Sequence, residues 1–295
     1  KFENINLYTR NNEGNTPLLS AIKLGQIDAT RLIISYGGDI DDMTNQGSLK
    51  GMNSLMWACS QGHLEIVKLL LHAGVNLEEK MRNILFQGKT PLMWASSQGH
   101  TKIVSFLLNA GANISEIDNR GRTALIWAIS QGKLETVITL LSHGDNPNKL
   151  DNEGSTPLMW ASGKKNQDFI DYENFHESNI HIKHLIGGNS SIIKYLLYFH
   201  ANVSIKDNYN LTALMYASIP EYQLDVLDSL IKAGANPYEV NHKGFSPIRF
   251  FKELPQPEVY HFLLKQLNIL NRNPFELVEI SVCSWILNVI SYKSS

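Results

Sequence analysis

The densest group of residues that could bind a metal ion lies between residues 176 and 184. His176 and Glu177 are followed by His181 and His184. A zinc protease helix needs two histidines four residues apart, with a glutamate directly after the first. The gap from His176 to His181 is five residues, so this motif is not met. His181 and His184 could share a helical face and bind a metal ion with Glu177. We expect solvated histidines instead, and no metal site.

Cys59 and the histidines that follow glycine are the remaining candidates for catalysis. His63 lies four residues after Cys59, but no residue that would orient it is evident. We expect Cys59 to pack in the interior, and His63 and His100 to make structural contacts at the start of a helix. The sequence has no glycine-rich phosphate loop, no Gly-x-Ser-x-Gly motif and no assignable pair of carboxylates. We therefore predict that the protein is not an enzyme and carries no cofactor.

Charge and cysteine content disfavour several further classes of protein. The formal net charge is −2, so there is no strongly basic field for nucleic acid. The two cysteines lie far apart without metal-type spacing, which argues against a disulfide framework and fits a reducing compartment. No apolar run reaches membrane-spanning length, and the first residues do not resemble a signal peptide. We expect a cytoplasmic protein that binds neither nucleic acid nor a membrane.

A helical hairpin recurs along the chain, and its clearest copy is residues 121–152. Thr123 stands where a helix needs a cap, apolar residues follow at helical spacing, and Gly132 breaks the helix. A second apolar stripe starts at Leu134, and Gly144 ends it as a C-terminal glycine does. One such hairpin cannot bury both of its apolar faces, so it needs neighbours of the same kind.

Alignment on the Thr-x-Leu start of this hairpin finds seven units. They begin near residues 16, 54, 90, 123, 156, 212 and 246, and five of the six steps lie between 33 and 38 residues. A period near 33 is typical of ankyrin repeats. The segments QGHLEIVKLLLHAGVN, from Gln61, and QGHTKIVSFLLNAGAN, from Gln98, resemble the second-helix signature of that family. The chain therefore resembles an ankyrin-repeat protein over residues 11–264.

This resemblance implies an all-α solenoid of about seven ankyrin repeats, each a helix-turn-helix followed by a β-hairpin finger. We expect a polar lead-in over residues 1–10, the repeat domain over 11–270, and a helical cap or degenerate repeat over 271–295. An apolar stripe in that last segment could instead form a dimer or partner surface, but we predict a monomer. Extra residues in the fingers 39–53 and 77–89 either overhang the concave side or reflect tolerated drift in loop length.

Repeat five is interrupted between its two helices. Ala161 and Gly188 are 27 residues apart, against 4 for the equivalent Ala58 and Gly62, so 23 residues are added at about 164–187. The aromatic content of this insertion argues against a flexible linker. We predict that it forms a second contact surface, through Phe169, Tyr172, Phe175, His176 and His181.

Tryptophan recurs at one position of the first helix, and tyrosine replaces it in repeat six. Residues three and four beyond this position share its helical face, which in ankyrin proteins is concave and contacts partners. Stacked repeats would place successive aromatic residues roughly 8–10 Å apart. The alternative is that the indoles only fill space between first helices. The predicted partner-binding residues are Trp57, Ser60, Gln61, Trp94, Ser97, Gln98, Trp127, Ser130, Gln131, Trp160 and Tyr216.

The position before each tryptophan departs from the family pattern. Ankyrin proteins have a histidine there that bonds the capping threonine, whereas this chain has Met56, Met93, Ile126 and Met159. We expect an apolar contact to replace that polar bond.

These features favour non-catalytic protein binding, in which a rigid concave groove captures a segment of a partner protein. Abundant Asn, Ile and Lys are typical of the AT-rich genomes of some intracellular bacteria and large viruses. A sharper hypothesis is therefore the host-target-binding part of a microbial effector, acting in the host cytosol. The alternative is the substrate-recognition region of a larger enzyme whose catalytic domain lies outside these residues.

Overall fold

The computed structural model describes residues 6–47, 49–81, 88–163, 190–218, 224–253, 261 and 264–265. These ranges contain thirteen helices and no strand, apart from one isolated antiparallel bridge between Met43 and Asn53. The helices are α1 (Pro17–Lys23), α2 (Ile27–Ser35), α3 (Ser54–Gln61), α4 (Leu64–His72), α5 (Pro91–Gln98), α6 (Thr101–Asn109), α7 (Ala124–Ser130), α8 (Leu134–Ser142), α9 (Pro157–Ala161), α10 (Ser190–Tyr198), α11 (Ala213–Ala217), α12 (Leu224–Lys232) and α13 (Pro247–Glu253).

The helices form a two-layer solenoid, which confirms the predicted fold class. The odd-numbered helices α1 to α11 are the first helices of successive repeats, and each packs on the next one. The even-numbered helices α2 to α12 are the second helices and form the other layer in the same way. One continuous hydrophobic core runs between the layers, from Leu18 in repeat one to Phe251 in repeat seven.

A side-chain cap starts the first helix of each of repeats one to six. The side-chain oxygen of the cap accepts a hydrogen bond from the N–H group three residues later, which satisfies one of the free donors of the first turn. In repeat two the cap is Asn53, whose Oδ1 lies 2.9 Å from the nitrogen of Met56. The predicted start at Ser54 is thus one residue late, because Ser54 is already helical. The six caps are Thr16, Asn53, Thr90, Thr123, Thr156 and Thr212.

The corrected start shows where the extra residues of the early repeats lie. The steps between caps become 37, 37, 33 and 33 residues up to Thr156. We call a residue the turn residue when its backbone N–H donates to the carbonyl oxygen of the residue before the cap. The segment from the turn residue to the residue before the cap is called a finger. The turn residue Asp118 precedes its cap by five positions, whereas Thr44 precedes Asn53 by nine, so the four added residues all lie in the finger.

Successive fingers are tied to each other by asparagine side chains and backbone groups. Nδ2 of Asn152 donates to the carbonyl oxygen of Asn119 at 2.9 Å, and Nδ2 of Asn208 donates to that of Asn152 at 3.2 Å. The backbone N–H of Asn152 also donates to the carbonyl of Arg120. The fingers of repeats four to six therefore form one connected row.

The turn between the two helices of one repeat contacts the same turn of the next repeat. In this contact, an imidazole ring lies against a glycine. The imidazole of His100 lies against Gly62 of the preceding repeat, and its Nε2 is 3.2 Å from the carbonyl oxygen of Ser60. His63 covers Gly25 in the same way. These contacts give both histidines a structural role, as the sequence predicted.

Asp145 is a carboxylate at a position where the other repeats bury small apolar residues. It is 6% exposed, and its Oδ1 accepts from the N–H of Asn146 at 2.8 Å. Its buried Oδ2 has no hydrogen-bond partner within the described ranges. Burial therefore raises the pKa of Asp145 to about 7, although the N–H of Asn146 and the charge of Lys149 favour the carboxylate. The equivalent residues are Val75, Ala112, Ala201 and Ala235.

Two segments for which the sequence makes predictions lie wholly outside the described residues. The insertion at 164–187, with its predicted second contact surface, is one of them. The predicted C-terminal cap at 271–295 is the other. Both stay predictions from the sequence.

Replacing Gly62 by alanine should destabilise the chain more than replacing Gly74. Both glycines have a positive φ, which costs an alanine about 1–2 kcal/mol. A β-carbon at Gly62 would in addition lie 2.7 Å from Cε1 of His100, whereas nothing lies within 4 Å of one at Gly74. Urea denaturation of the two variants measures the difference, which we expect to be about 1–3 kcal/mol. Equal losses would show that the histidine-glycine contact does not constrain the repeats.

Replacing Asp145 by alanine should stabilise the chain, and the gain should depend on pH. The folded pKa of about 7 exceeds the ordinary value of 3.8, so the folded state binds the extra proton between about pH 4 and 7. The wild type therefore loses stability as the pH rises from about 4 to 7, and the loss is complete above pH 7. We expect a gain of about 1–4 kcal/mol at pH 8 that shrinks towards pH 4, measured by urea denaturation. Asp225→Ala, at an exposed residue of α12, is the control and should not stabilise the chain at pH 8.

Candidate partner-binding surface

The five predicted aromatic residues lie at equivalent positions of successive first helices. We call this set the aromatic column. Each member is only 6–7% exposed, so at most an edge of each ring reaches solvent. The structure thus brings the column together as predicted. Its contact with a partner stays a prediction. The members are Trp57 on α3, Trp94 on α5, Trp127 on α7, Trp160 on α9 and Tyr216 on α11.

The polar residues beside the column divide into two kinds. Each serine hydroxyl donates to the carbonyl oxygen of the column residue of its own helix, at 2.9–3.0 Å, and is therefore already bonded. The glutamines that follow are exposed at the ends of their helices. Gln61, Gln98 and Gln131, which we call the glutamine row, are therefore the predicted residues most available to a partner.

In repeats four to six, a buried aspartate holds the column residue of the same repeat. Nε1 of Trp127 donates to Oδ2 of Asp118 at 3.1 Å, and Nε1 of Trp160 donates to Oδ2 of Asp151 at 2.9 Å. The hydroxyl of Tyr216 donates to Oδ2 of Asp207. In each repeat the aspartate is the turn residue of the finger, nine positions before the aromatic residue. The carboxylate therefore fixes the finger to the first helix.

The other carboxylate oxygen closes the finger itself. Oδ1 of Asp118 accepts from the N–H groups of Arg120 and Arg122, both at 2.9 Å. Oδ1 of Asp151 accepts from the groups two and four residues later in the same way. Each of these aspartates thus satisfies two backbone donors and at least one side-chain donor.

Repeat seven shows the same turn without the aromatic donor. Its turn residue is Asn241, whose Oδ1 accepts from the N–H groups of Lys243 and Phe245. Nine positions later stands Phe250, which has no polar hydrogen to donate. Among the described repeats, the carboxylate thus occurs only where a tryptophan or tyrosine donates to its second oxygen.

Repeats two and three lack this aspartate. Their turn residues are Thr44 and Met81, at the start of the two longer fingers. The hydroxyl of Thr44 donates to the carbonyl oxygen of Leu49, within its own finger. The indole nitrogen of Trp57 is buried and has no hydrogen-bond acceptor among the residues that the structure describes.

Cationic side chains lie over the indoles. Nζ of Lys89 is 3.9 Å from the ring centroid of Trp94 and 3.8 Å from that of Trp127, and it donates to Oγ of Ser97 at 2.9 Å. Burial, helped by the charge of Arg122, lowers the pKa of Lys89 to about 7. The negative charge of Asp118 opposes this shift, and the two indole faces also favour the ammonium form.

Arg122 links the column to the buried aspartate. Its guanidinium lies 4.1 Å from the ring centroid of Trp127, and both Nε and Nη2 lie 2.8 Å from Oδ2 of Asp118. In repeat four, one carboxylate therefore meets an indole N–H and a cation that stacks on the same indole. At the start of the column, Nζ of Lys23 lies 4.8 Å from the ring centroid of Trp57.

The methionine before the column residue has a polar contact as well as an apolar one. In repeat five, Sδ of Met159 accepts from the N–H of Thr156 at 3.4 Å, while Oγ1 of Thr156 accepts from the N–H of Met159. The sulfur thus occupies an acceptor position in the capping box, where we expected an apolar contact alone.

The described residues contain no group of three or more potential metal ligands. Cys59 is buried and burial raises the pKa of its thiol, which suits packing rather than nucleophilic attack. His176 and His181 lie outside the described residues. Among the described helices, none has both the length and the hydrophobicity needed to cross a membrane.

Sequence reasoning missed the polar residues that hold the column. They are Asp118, Asp151, Asp207, Lys89 and Arg122. The signal was present, because an aspartate precedes an aromatic residue by nine positions in three repeats.

Comparison with known proteins agrees with this architecture. The family model described as "Ankyrin repeats (3 copies)" matches residues 2–81, 41–118, 79–151 and 114–172, which together span more than half of the 295 residues. The crystal structure of the human ASB11 ankyrin repeat domain superposes with a TM-score of 0.65 and 23% sequence identity. That match covers 85% of this chain and 98% of the other. At this identity the likeness is one of fold. No curated protein matches the sequence.

Replacing Tyr216 by phenylalanine should destabilise the chain by about 1–3 kcal/mol, because the buried carboxylate of Asp207 loses a donor. Adding Asp207→Asn should recover part of this loss, because the double variant reproduces the natural pair Asn241 and Phe250. Urea denaturation of both single variants and the double variant gives the coupling energy. Additive effects would show that the hydroxyl-carboxylate bond contributes nothing.

Proposed function

Because the chain belongs to the ankyrin-repeat family, we propose that it is a non-catalytic protein-binding module that holds a segment of a partner protein in its concave groove. Ankyrin repeats generally serve as protein-protein interaction modules. The groove is the surface formed by the fingers and by the exposed ends of the first helices.

The observation that carries this proposal is the glutamine row beside the fixed aromatic column. Gln61, Gln98 and Gln131 are exposed at the same position of three consecutive repeats. A primary amide both donates and accepts hydrogen bonds, so it can bond the backbone of a bound segment. Because a cation lies over each ring beneath the row, and Trp127 also bonds the carboxylate of Asp118, this surface loses little entropy on binding.

The spacing of the row favours an extended segment. Stacked helices lie roughly 8–10 Å apart. Three residues of an extended chain span about 10 Å. One glutamine would therefore meet every third residue of the segment, which makes recognition of backbone groups regular along the groove.

Two finer hypotheses from the sequence belong to this proposal. The insertion at 164–187 would supply a second contact surface, and the partner would be a host protein if the chain is part of a microbial effector. We place this activity in a monomer in the cytosol. The described residues give no observation that favours the alternative, the substrate-recognition region of a larger enzyme.

The test is selection of binders from a phage-displayed library of twelve-residue peptides. We expect the selected peptides to bind the variants Gln98→Arg and Gln131→Arg at least tenfold more weakly than the wild type, because both residues are exposed in the groove. The control variants Lys102→Glu and Glu135→Lys change exposed residues of the second helices α6 and α8 and should leave the affinity unchanged.

The opposite pattern would contradict the proposal. Peptides that lose affinity only in the α6 and α8 variants would place binding on the other layer of the solenoid. Equal thermal melting of all four variants and the wild type is the check that only the surface has changed.

A further inference from the structure

We propose that the groove binds an acidic segment, and that one carboxylate of this segment bonds the indole N–H of Trp57 beside Lys23. This inference rests on the proposed function, since it names the chemistry of the segment that the groove would hold. It is argued from a comparison of two repeats of the same chain.

Repeat four shows how this scaffold satisfies a carboxylate. Oδ2 of Asp118 accepts from Nε1 of Trp127 at 3.1 Å and from Nε of Arg122 at 2.8 Å. The guanidinium of Arg122 also stacks on the ring of Trp127 at 4.1 Å. The arrangement has three parts: an indole donor, a cation over the indole, and a carboxylate between them.

Around Trp57 of repeat two, the indole donor and a cation from repeat one are present, and the carboxylate between them is absent from the described part of the chain. Trp57 occupies the position of Trp127, and Nζ of Lys23 lies 4.8 Å from its ring centroid. Thr44 stands at the turn position that Asp118 occupies in repeat four. The buried indole nitrogen is left without an acceptor among the described residues. Burying an unsatisfied donor is unfavourable, so an oxygen brought by a partner gains a bond that this chain does not supply.

The charge beside Trp57 selects a carboxylate over a neutral carbonyl. The side chain of Lys23 is partly exposed and already pairs with a carboxylate, Oε2 of Glu13, at 2.9 Å. This pairing lowers the pKa of Glu13, whose side chain is largely exposed. Glu13 is therefore a weak counterion of Lys23 that a carboxylate of the partner can displace.

The finger of repeat two lacks the bond that fixes the finger of repeat four to its first helix. The indole nitrogen of Trp57 is buried, so a carboxylate reaches it only if neighbouring residues move. Asp118 fixes the finger of repeat four to α7, but the hydroxyl of Thr44 bonds within its own finger, to Leu49. Finger two is also four residues longer, and it exposes Gln46 and Lys50. The finger can therefore move without breaking a bond of the kind that Asp118 makes to Trp127.

The test uses two synthetic twelve-residue peptides, one alternating Glu and Gly and one alternating Gln and Gly, titrated into the full chain. The readout is the indole N–H signals in a ¹H–¹⁵N spectrum, with the Trp57 signal assigned from Trp57→Phe. We expect the Glu peptide, and not the Gln peptide, to move the Trp57 signal downfield. The signals of Trp127 and Trp160 should stay, because Asp118 and Asp151 already accept from them.

Three variants locate the charge that is recognised. Lys23→Met should weaken binding of the Glu peptide at least tenfold, because it removes the cation at the site. Glu13→Gln should strengthen binding severalfold, because it removes the competing carboxylate. Lys50→Met removes a positive charge from the exposed part of the same finger, and it should change the affinity less than twofold.

Equal shifts of the Trp57 signal with both peptides, or no shift with either, would overturn the inference. An unchanged affinity in Lys23→Met would do the same. If library peptides bind at Gln98 and Gln131 while the Trp57 signal stays in place, the acidic-segment inference fails and the proposed function stands. If no peptide depends on the groove at all, the proposed function fails as well.

Discussion

A carboxylate buried under each of three fingers fixes the geometry of the surface that we assign to partner binding. Asp118, Asp151 and Asp207 each bond their own finger through one oxygen and an aromatic residue of the first helix through the other. A buried charge is costly unless every lone pair finds a donor. The aspartate therefore depends on a tryptophan or tyrosine at the column position, whereas Trp57 and Trp94 stand there without it. Repeat seven, with asparagine and phenylalanine, shows the neutral form of the same turn.

Much of this arrangement could be predicted from the sequence, because it depends on local rules that recur. Thr123 as a cap, Gly132 as a break and the period of 33 residues follow from propensity and periodicity. The cap of repeat two was misplaced by one residue because both Asn53 and Ser54 are good caps, and only the bond to Met56 distinguishes them. The burial of the tryptophans depends on neighbouring repeats, which pattern rules for a single helix do not describe.

The polar interior of the column could be predicted only by comparing repeats. A lysine before a capping threonine gives no hint that Nζ of Lys89 will lie between two indoles, since Trp127 belongs to the next repeat. The same holds for Asp145. Its carboxylate lies at a position where the other repeats bury small apolar residues, and this burial is unfavourable for the charged form. In a solenoid each repeat contacts its neighbours only, so such features are properties of adjacent pairs of repeats.

The pairing of turn residue and aromatic residue divides the solenoid into two parts with different physical character. From repeat four to repeat six, short fingers are held by aspartates and joined by Asn152 and Asn208, so the surface is preorganised. In repeats two and three the fingers are longer, begin at Thr44 and Met81, and lack the carboxylate. Preorganisation reduces the entropy cost of binding, whereas a finger without this carboxylate bond, next to an unsatisfied donor, can adapt to the group that satisfies it. A partner segment lying along both parts would gain affinity from the fixed repeats and selectivity from the adaptable ones. The chemistry of the unsatisfied donor at Trp57 would then decide which segments are accepted.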